Sequence, residues 1–194
     1  MSSPMKFKTL LNAAVLFIGL GLAAYSQLNK GSQSEQVTVV PQSAETREFE
    51  RWQLKEGSIY DGDTLRVVRG DEELKIRFCG IDAPERDQEF GIESRDYLRS
   101  LVDMGNGELM IVPIEKDRYG RTVAEVYVPD RKTSAINLNL EMVRAGYAWH
   151  YAQYSDTCTM RDQLIAAEGM AKQEKAGIWT GNPQPPWEFR KANK

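Results

Sequence analysis

From about residue 52 onward, apolar and polar residues alternate in short runs separated by turn-forming residues. Residues 52–60, 65–68 and 73–81 read as three strands. Asp61-Gly62-Asp63-Thr64 separates the first two, and Arg69-Gly70-Asp71-Glu72 separates the second from the third. Three short consecutive strands with tight turns predict a meander that could curl into a small barrel. The period then changes. Over residues 93–104, Tyr97, Leu98, Leu101 and Val102 form one apolar stripe of a helix, which Gly105-Asn106-Gly107 stops. Residues 108–115 and 122–128 are predicted as the fourth and fifth strands, on either side of the charged turn Lys116-Asp117-Arg118-Tyr119-Gly120-Arg121. A short helix follows over 137–145, closed by Gly146, and a last helix over 162–175, closed by Gly177. Pro183 and Pro185-Pro186 are expected to end regular structure. No internal repeat is present.

Ahead of this body the pattern is different. Lys6 and Lys8 precede an uncharged run over residues 9–29. Its length falls between a secretory hydrophobic region, roughly 7–15 residues, and a spanning helix of about 20. Ala24-Tyr25-Ser26 is a passable small-x-small cleavage site, so a cleaved signal and an uncleaved anchor stand as equal alternatives. Both place the body outside the cytoplasm, membrane-anchored or secreted. A buried core helix is the blander alternative, and the basic flank disfavours it. Residues 30–48, rich in Ser, Gln and Glu, read as a flexible tether. The expected organisation is a hydrophobic segment over 1–29, a linker over 30–48, one folded domain over 49–180 and a tail over 181–194.

Charge and cysteine count narrow the chemistry. The chain carries 25 basic and 28 acidic residues, a formal net charge of -3. The body is more acidic than the whole, because Lys6, Lys8 and Lys30 all lie in the leading segment and tether. That argues against a protein that holds nucleic acid by a broad basic footprint, though it allows a local basic pocket. Two cysteines, Cys79 and Cys158, have no zinc-type spacing, and there is one histidine, His150. Chemistry that needs several histidines in one chain is excluded. Outside the cytoplasm the two cysteines are free to pair, which would tie the third strand to the loop before the last helix.

The candidate chemistry gathers around Arg77-Phe78-Cys79-Gly80-Ile81-Asp82-Ala83-Pro84-Glu85. This stretch reads as a strand running out into a loop, with Gly80 allowing a kink and Pro84 stopping strand pairing. It delivers one guanidinium and two carboxylates, Asp82 and Glu85, to one strand end. Those groups suit a phosphate: an arginine to grip it, a carboxylate for a hard metal ion, and another to steer water. Asp63 offers a further carboxylate from the 61–64 turn, although Asp-Gly is also a plain turn signal. Arg118 and Arg121 offer guanidinium groups from a turn that reads equally well as a solvated hairpin. Tyr147, Trp149, Tyr151 and Tyr154 supply rings for base stacking or for the core.

Taken in order, Asp61-Gly62-Asp63-Thr64, the stretch from Arg77 to Glu85, the turn from Asp117 to Arg121, and Gly177-Ile178-Trp179 resemble the staphylococcal-nuclease family over about residues 52–179. The resemblance implies an α+β, mainly β fold: an OB-type five-stranded barrel with three helices. It implies cleavage of phosphodiester bonds in DNA and RNA, usually with calcium. Magnesium and metal-free action stay open alternatives. On that resemblance Asp63, Asp82 and the main-chain carbonyl of Ala83 match the metal ligands, with alanine standing where the family usually has threonine. Glu85 matches the carboxylate that orients or deprotonates water, and Arg77 and Arg121 match the arginines on the phosphate. Arg118 and Tyr119 match substrate contacts, and Tyr154 and then Tyr151 match the base-stacking tyrosines. The expected function is an extracytoplasmic calcium-dependent nuclease acting on DNA or RNA. The alternative is a non-catalytic nucleic-acid-binding barrel, which would be expected to lose these carboxylates and arginines.

Overall fold

In β2 (Thr64–Arg69) and β3 (Glu72–Phe78), Leu65, Val67, Ile76 and Phe78 all point to one face, and all four are buried. This computed structural model describes residues 49–130 and 134–194. The two strands form an antiparallel hairpin, with Thr64 opposite Arg77 and Arg69 opposite Glu72. β1 (Glu50–Leu54) pairs with β2 on one side and with β5 (Glu108–Lys116) on the other. β5 pairs antiparallel with β6 (Thr122–Asp130). The sheet then closes on itself: β6 runs parallel to β3, with Ile76 beside Thr122 and Arg77 beside Val123. The result is the expected five-stranded OB-type barrel, ordered β3-β2-β1-β5-β6. Inward residues of all five strands fill it, among them Trp52, Leu109, Ile111, Ala124, Val126 and Val128.

Helices cover one side. α1 (Gly91–Met104) contributes Leu98, Leu101 and Val102, the apolar stripe read from its spacing. After β7 (Ser134–Asn137) comes α2 (Leu138–Arg144), which adds Leu138, Met142 and Val143. The Asn137 side chain caps α2 by accepting from the Leu140 amide at 2.8 Å. Buried Asn139 locks α2 onto the barrel seam. Its Oδ1 accepts from the Val126 amide, and its Nδ2 donates to the carbonyls of Cys79 and Ala124. α3 (Arg161–Glu174) starts beside Glu125, a fully buried carboxylate. Glu125 Oε1 accepts from the Thr159 and Met160 amides at 2.6 and 3.2 Å, satisfying donors at the helix entrance.

The structure departs from the sequence expectations in four places. The first strand stops at Leu54 because Gly57, at φ 69°, turns the chain, and the Ser58 amide donates back to the Lys55 carbonyl. The third strand breaks at Gly80, whose φ of 71° lets Ile81–Asp82 leave as a separate short strand, β4. β4 pairs with β8 (Trp149–His150) in a two-stranded ribbon. β7 and β8 are too short to have shown a period in the sequence. Finally, Pro183 and Pro185-Pro186 do not end regular structure. A fourth helix, α4 (Pro186–Ala192), follows the three expected, with Pro186 at its first position, where a fixed φ and a missing N–H cost nothing.

Cys79 and Cys158 are joined by a disulfide, with Cα atoms 5.9 Å apart. Leu164 and the Cys158 sulfur lie so close to Gly80 that a Cβ there would meet them at 2.9 and 3.0 Å. The kink after β3 is thus clamped against the start of α3. The expected hydrophobic segment (1–29) and tether (30–48) lie outside the described residues. Among the described residues, no helix is long and apolar enough to cross a membrane.

Candidate active site

The carboxylate cluster is built where β2, β3 and β4 meet. Asp61 Oδ1 accepts from the amides of Asp63 and Thr64, at 3.2 and 2.7 Å, fixing the turn into β2. Gly62 in that turn leaves no room for a side chain, since a Cβ would collide with Ser94 Oγ of α1. The turn thereby aims Asp63 at the next loop, where its Oδ2 accepts from the Ala83 amide at 2.7 Å. Asp63 Oδ1 accepts from Thr64 Oγ1 at 3.0 Å. Antiparallel pairing of Thr64 with Arg77 brings β3 alongside.

Arg77 then spans two acids. Its Nη1 lies 3.0 Å from Asp63 Oδ2 and its Nη2 lies 2.8 Å from Asp82 Oδ1. All three side chains are largely buried, with 13%, 8% and 2% of Arg77, Asp63 and Asp82 exposed. Glu85 sits further out, at 34% exposure, on the loop after β4. Its amide donates to Gln88 Oε1 at 3.1 Å. The cluster thus grades from buried at Asp82 to open at Glu85.

Burial dominates the electrostatics. It pushes the Asp61 carboxyl up to about 7, with the neighbouring Asp63 charge adding to the rise. Burial also raises the Asp82 carboxyl above its ordinary value, and the flanking guanidinium groups of Arg190 and Arg77 restrain that rise.

Arg121 ends the turn that leads into β6. Because Ile76 sits beside Thr122 and Arg77 beside Val123, the 117–121 turn lies against β3, not across the barrel from it. Registered directly beside it, Val123 shares the sheet face of Arg77, and Arg121 lies two residues before Val123, in the turn. The Arg121 side chain pairs with Asp117 through Nε at 2.6 Å, and the Asp117 carboxylate also accepts the Tyr119 and Arg121 amides. Tyr119, 68% exposed, has the guanidinium groups of Arg118 and Arg121 over its ring at 4.9 and 5.5 Å. The structure therefore joins Arg77, Asp63 and Asp82 directly and leaves Arg121 in the turn before β6, its side chain held by Asp117.

The tyrosines lie on the other flank. The Tyr151 amide donates to the Gly80 carbonyl at 2.8 Å, extending the β4–β8 ribbon, so Tyr151 stands beside the acid-bearing loop. Tyr154 packs edge-on against it at 4.8 Å and is mostly exposed. Burial raises the Tyr151 hydroxyl above its ordinary value, and the Asp82 charge adds to that.

Sequence reasoning missed one partner of this cluster, Arg190 of α4. Its Nη2 lies 2.7 Å from Asp82 Oδ2, and its Nη1 lies 2.7 Å from Glu85 Oε1. Trp187, one turn earlier, stacks on Tyr151 with ring centroids 5.1 Å apart and planes 6° from parallel. A helix signal was present in the sequence: proline at the first position, Glu188 in the first turn, and Arg190 and Lys191 in the last. No local pattern indicated where that helix would dock.

Asp63, Asp82 and Glu85 are hard oxygen donors without sulfur or imidazole, and that chemistry fits calcium or magnesium. Among the described residues no group of three His, Cys, Asp or Glu side chains is arranged to hold a metal ion. At this cluster the carboxylate oxygens face guanidinium nitrogens instead.

Comparison with known proteins bears on this arrangement. A family model described as staphylococcal nuclease homologue matches residues 75–181. An uncharacterized endonuclease of Escherichia coli O157:H7 is 38% identical over 133 residues, covering 68% of this chain and 80% of the relative. A micrococcal nuclease of Shigella flexneri is 36% identical over 141 residues, covering 70% and 79%. An uncharacterized endonuclease of Haemophilus influenzae is 39% identical over 139 residues, covering 70% and 71%. The family match takes in the second half of β3, the Asp82–Glu85 loop, the 117–121 turn and α3, and it spans more than half of the 194 residues. With the barrel closed as that likeness implied, the chain belongs to the staphylococcal-nuclease family.

Proposed function

We propose that this protein is a nuclease that hydrolyses phosphodiester bonds of DNA or RNA outside the cytoplasm, by water attack at the cluster around Arg77. One observation carries the reading: Arg77 and the carboxylates of Asp63 and Asp82 share one recess at the end of β3. Glu85 stands at its rim, and Arg121 sits in the turn that leads into the strand paired with β3. A phosphodiester is anionic and repels nucleophiles, so the recess needs cationic groups on the phosphate and a base for the water.

Asp63, Asp82 and the Ala83 carbonyl would hold a calcium ion, which supplies Lewis-acid neutralisation of a phosphate oxygen when bound. Glu85, the outermost carboxylate, accepts the water proton as the new P–O bond forms, and the bridging P–O bond on the opposite side breaks. The departing oxygen takes a proton from solvent. Arg77 and Arg121 stabilise charge that grows on the phosphoryl oxygens, an effect worth about 3–4 kcal/mol per preorganised donor. Arg77 reaches the phosphate by exchanging part of its contact with Asp63 and Asp82. Arg118 and Tyr119 lie on the same turn and contact the flanking phosphates, while Tyr151 and Tyr154 offer ring faces to a base.

The test is digestion of plasmid DNA and of a structured RNA by the full chain at saturating calcium and in excess chelator. Cleavage that depends on calcium is expected. No cleavage of DNA or RNA at any calcium concentration would overturn the reading and leave a nucleic-acid-binding barrel.

A further inference from the structure

Helix α4 occupies places that the proposed reaction needs. Arg190 bridges the two most functional acids: Nη2 is 2.7 Å from Asp82 Oδ2, and Nη1 is 2.7 Å from Glu85 Oε1 and 3.2 Å from Asp82 Oδ1. A cation bound to Asp82 would need those same oxygen lone pairs. Trp187 covers one face of Tyr151 in a parallel stack, and its indole has about the size and flatness of a purine. A base stacked there would need the same face. Trp187 and Arg190 are three residues apart, so they lie on one side of a single helical turn and move together.

The helix is docked without being part of the core. Pro186 is its only buried residue, and Arg190 keeps 38% of its side chain exposed. Upstream, the Gln184 carbonyl accepts from Gln88 Nε2 at 2.5 Å, tying the approach to the same loop that carries Glu85. A seven-residue helix is marginal on its own, so α4 depends on these contacts. Lifting it would expose the site and open none of the barrel.

We propose that α4 is a displaceable internal plug. Arg190 holds Asp82 and Glu85 in place of a divalent cation, and Trp187 holds Tyr151 in place of a nucleobase. Calcium and a nucleic-acid strand bind only as α4 leaves. This rests on the proposed phosphodiesterase reading of the same site. Calcium binding and α4 docking therefore oppose each other, and each weakens the other by the same factor.

The test compares the full chain with Arg190→Ala and Trp187→Ala. Calcium affinity is measured by titration calorimetry without nucleic acid, and amide hydrogen exchange over residues 186–192 is followed with and without calcium. Arg190→Ala is expected to bind calcium at least tenfold more tightly. Trp187→Ala, which removes no charge, is expected to tighten calcium at least threefold through loss of docking alone. In the unmodified chain, saturating calcium is expected to raise exchange in α4. Arg190→Ala binding calcium no more tightly than the unmodified chain overturns the plug, as does α4 exchange that ignores calcium. Arg190→Ala with unchanged calcium affinity and slower cleavage would make Arg190 part of the reaction and also overturns it. Tighter calcium binding in both variants with no cleavage by any of them would sink the hydrolysis reading and leave the plug standing.

Discussion

Arg77→Ala and Arg121→Ala remove arginines given the same role, yet their surroundings predict different outcomes. Arg77 is 13% exposed and faces carboxylates that are 8% and 2% exposed. Removing one partner of a buried ion pair costs about 3–5 kcal/mol, because the other charge is left without compensation. Arg190 still faces Asp82, and Asp63 keeps its bond from the Ala83 amide, so the low end applies. A loss of about 3 kcal/mol lowers Tm by roughly 6–12 °C in a domain of this size. Arg121 pairs with Asp117 on a surface turn, with 25% and 18% of the two side chains exposed. Its loss costs at most about 1 kcal/mol, since this partly buried pair is still open to screening by solvent and Asp117 keeps its backbone donors. Both variants are expected to lose turnover by about 10²-fold, the usual effect of deleting one transition-state donor. Urea denaturation followed by tryptophan fluorescence measures the first quantity. Initial rates of plasmid cleavage, taken where each variant is fully folded, measure the second. Arg77→Ala as stable as the parent refutes the buried-pair energetics, and Arg121→Ala with turnover within threefold of the parent refutes its place on the phosphate.

Glu85→Gln keeps the shape of the side chain and removes the base, so turnover should fall at least 10²-fold with little change in the urea midpoint; near-parental rates would assign the proton to another group. The disulfide closes a loop of 79 residues in sequence separation. Chain entropy puts its contribution at about 4.5 kcal/mol, so Cys79→Ser with Cys158→Ser should lose about 2–5 kcal/mol on the same urea scale. Burial holds the His150 imidazole below its ordinary value, so the unfolded chain binds that proton more tightly. His150 thus contributes stability that is present above about pH 6.5 and lost as pH falls below it. His150→Gln should narrow the stability gap between pH 7.5 and pH 5, and an unchanged gap would place the pH response elsewhere.

The elements legible in the sequence were those with enough residues to show a period. The α1 stripe from Leu98 to Val102 lies in the core as its spacing predicted, and Leu65, Val67, Ile76 and Phe78 fill the barrel from two of the strands the pattern predicted. β8 has two residues and β7 four, too few for alternation to register. Asp82 and Glu85 were legible as neighbours because three positions separate them, and Arg77 because it sits on the strand that carries them. Asp63 needed the hairpin register to join them. Arg190 reaches Asp82 and Glu85 from more than a hundred positions away, on a helix whose prolines were read as a stop. Nothing in the local pattern distinguishes a docked arginine from a solvated one.

Parallel pairing of β3 with β6 has a consequence for the newborn chain. That seam cannot form until α1, β5 and the turn after it have all been made and folded back. Until it forms, Arg121 has no fixed position relative to Arg77. On the proposed mechanism, a partly synthesised or half-folded molecule therefore carries the parts of a cutting site without the spacing that would let them cut. A ribosome still holding the later strands would be making a harmless polypeptide.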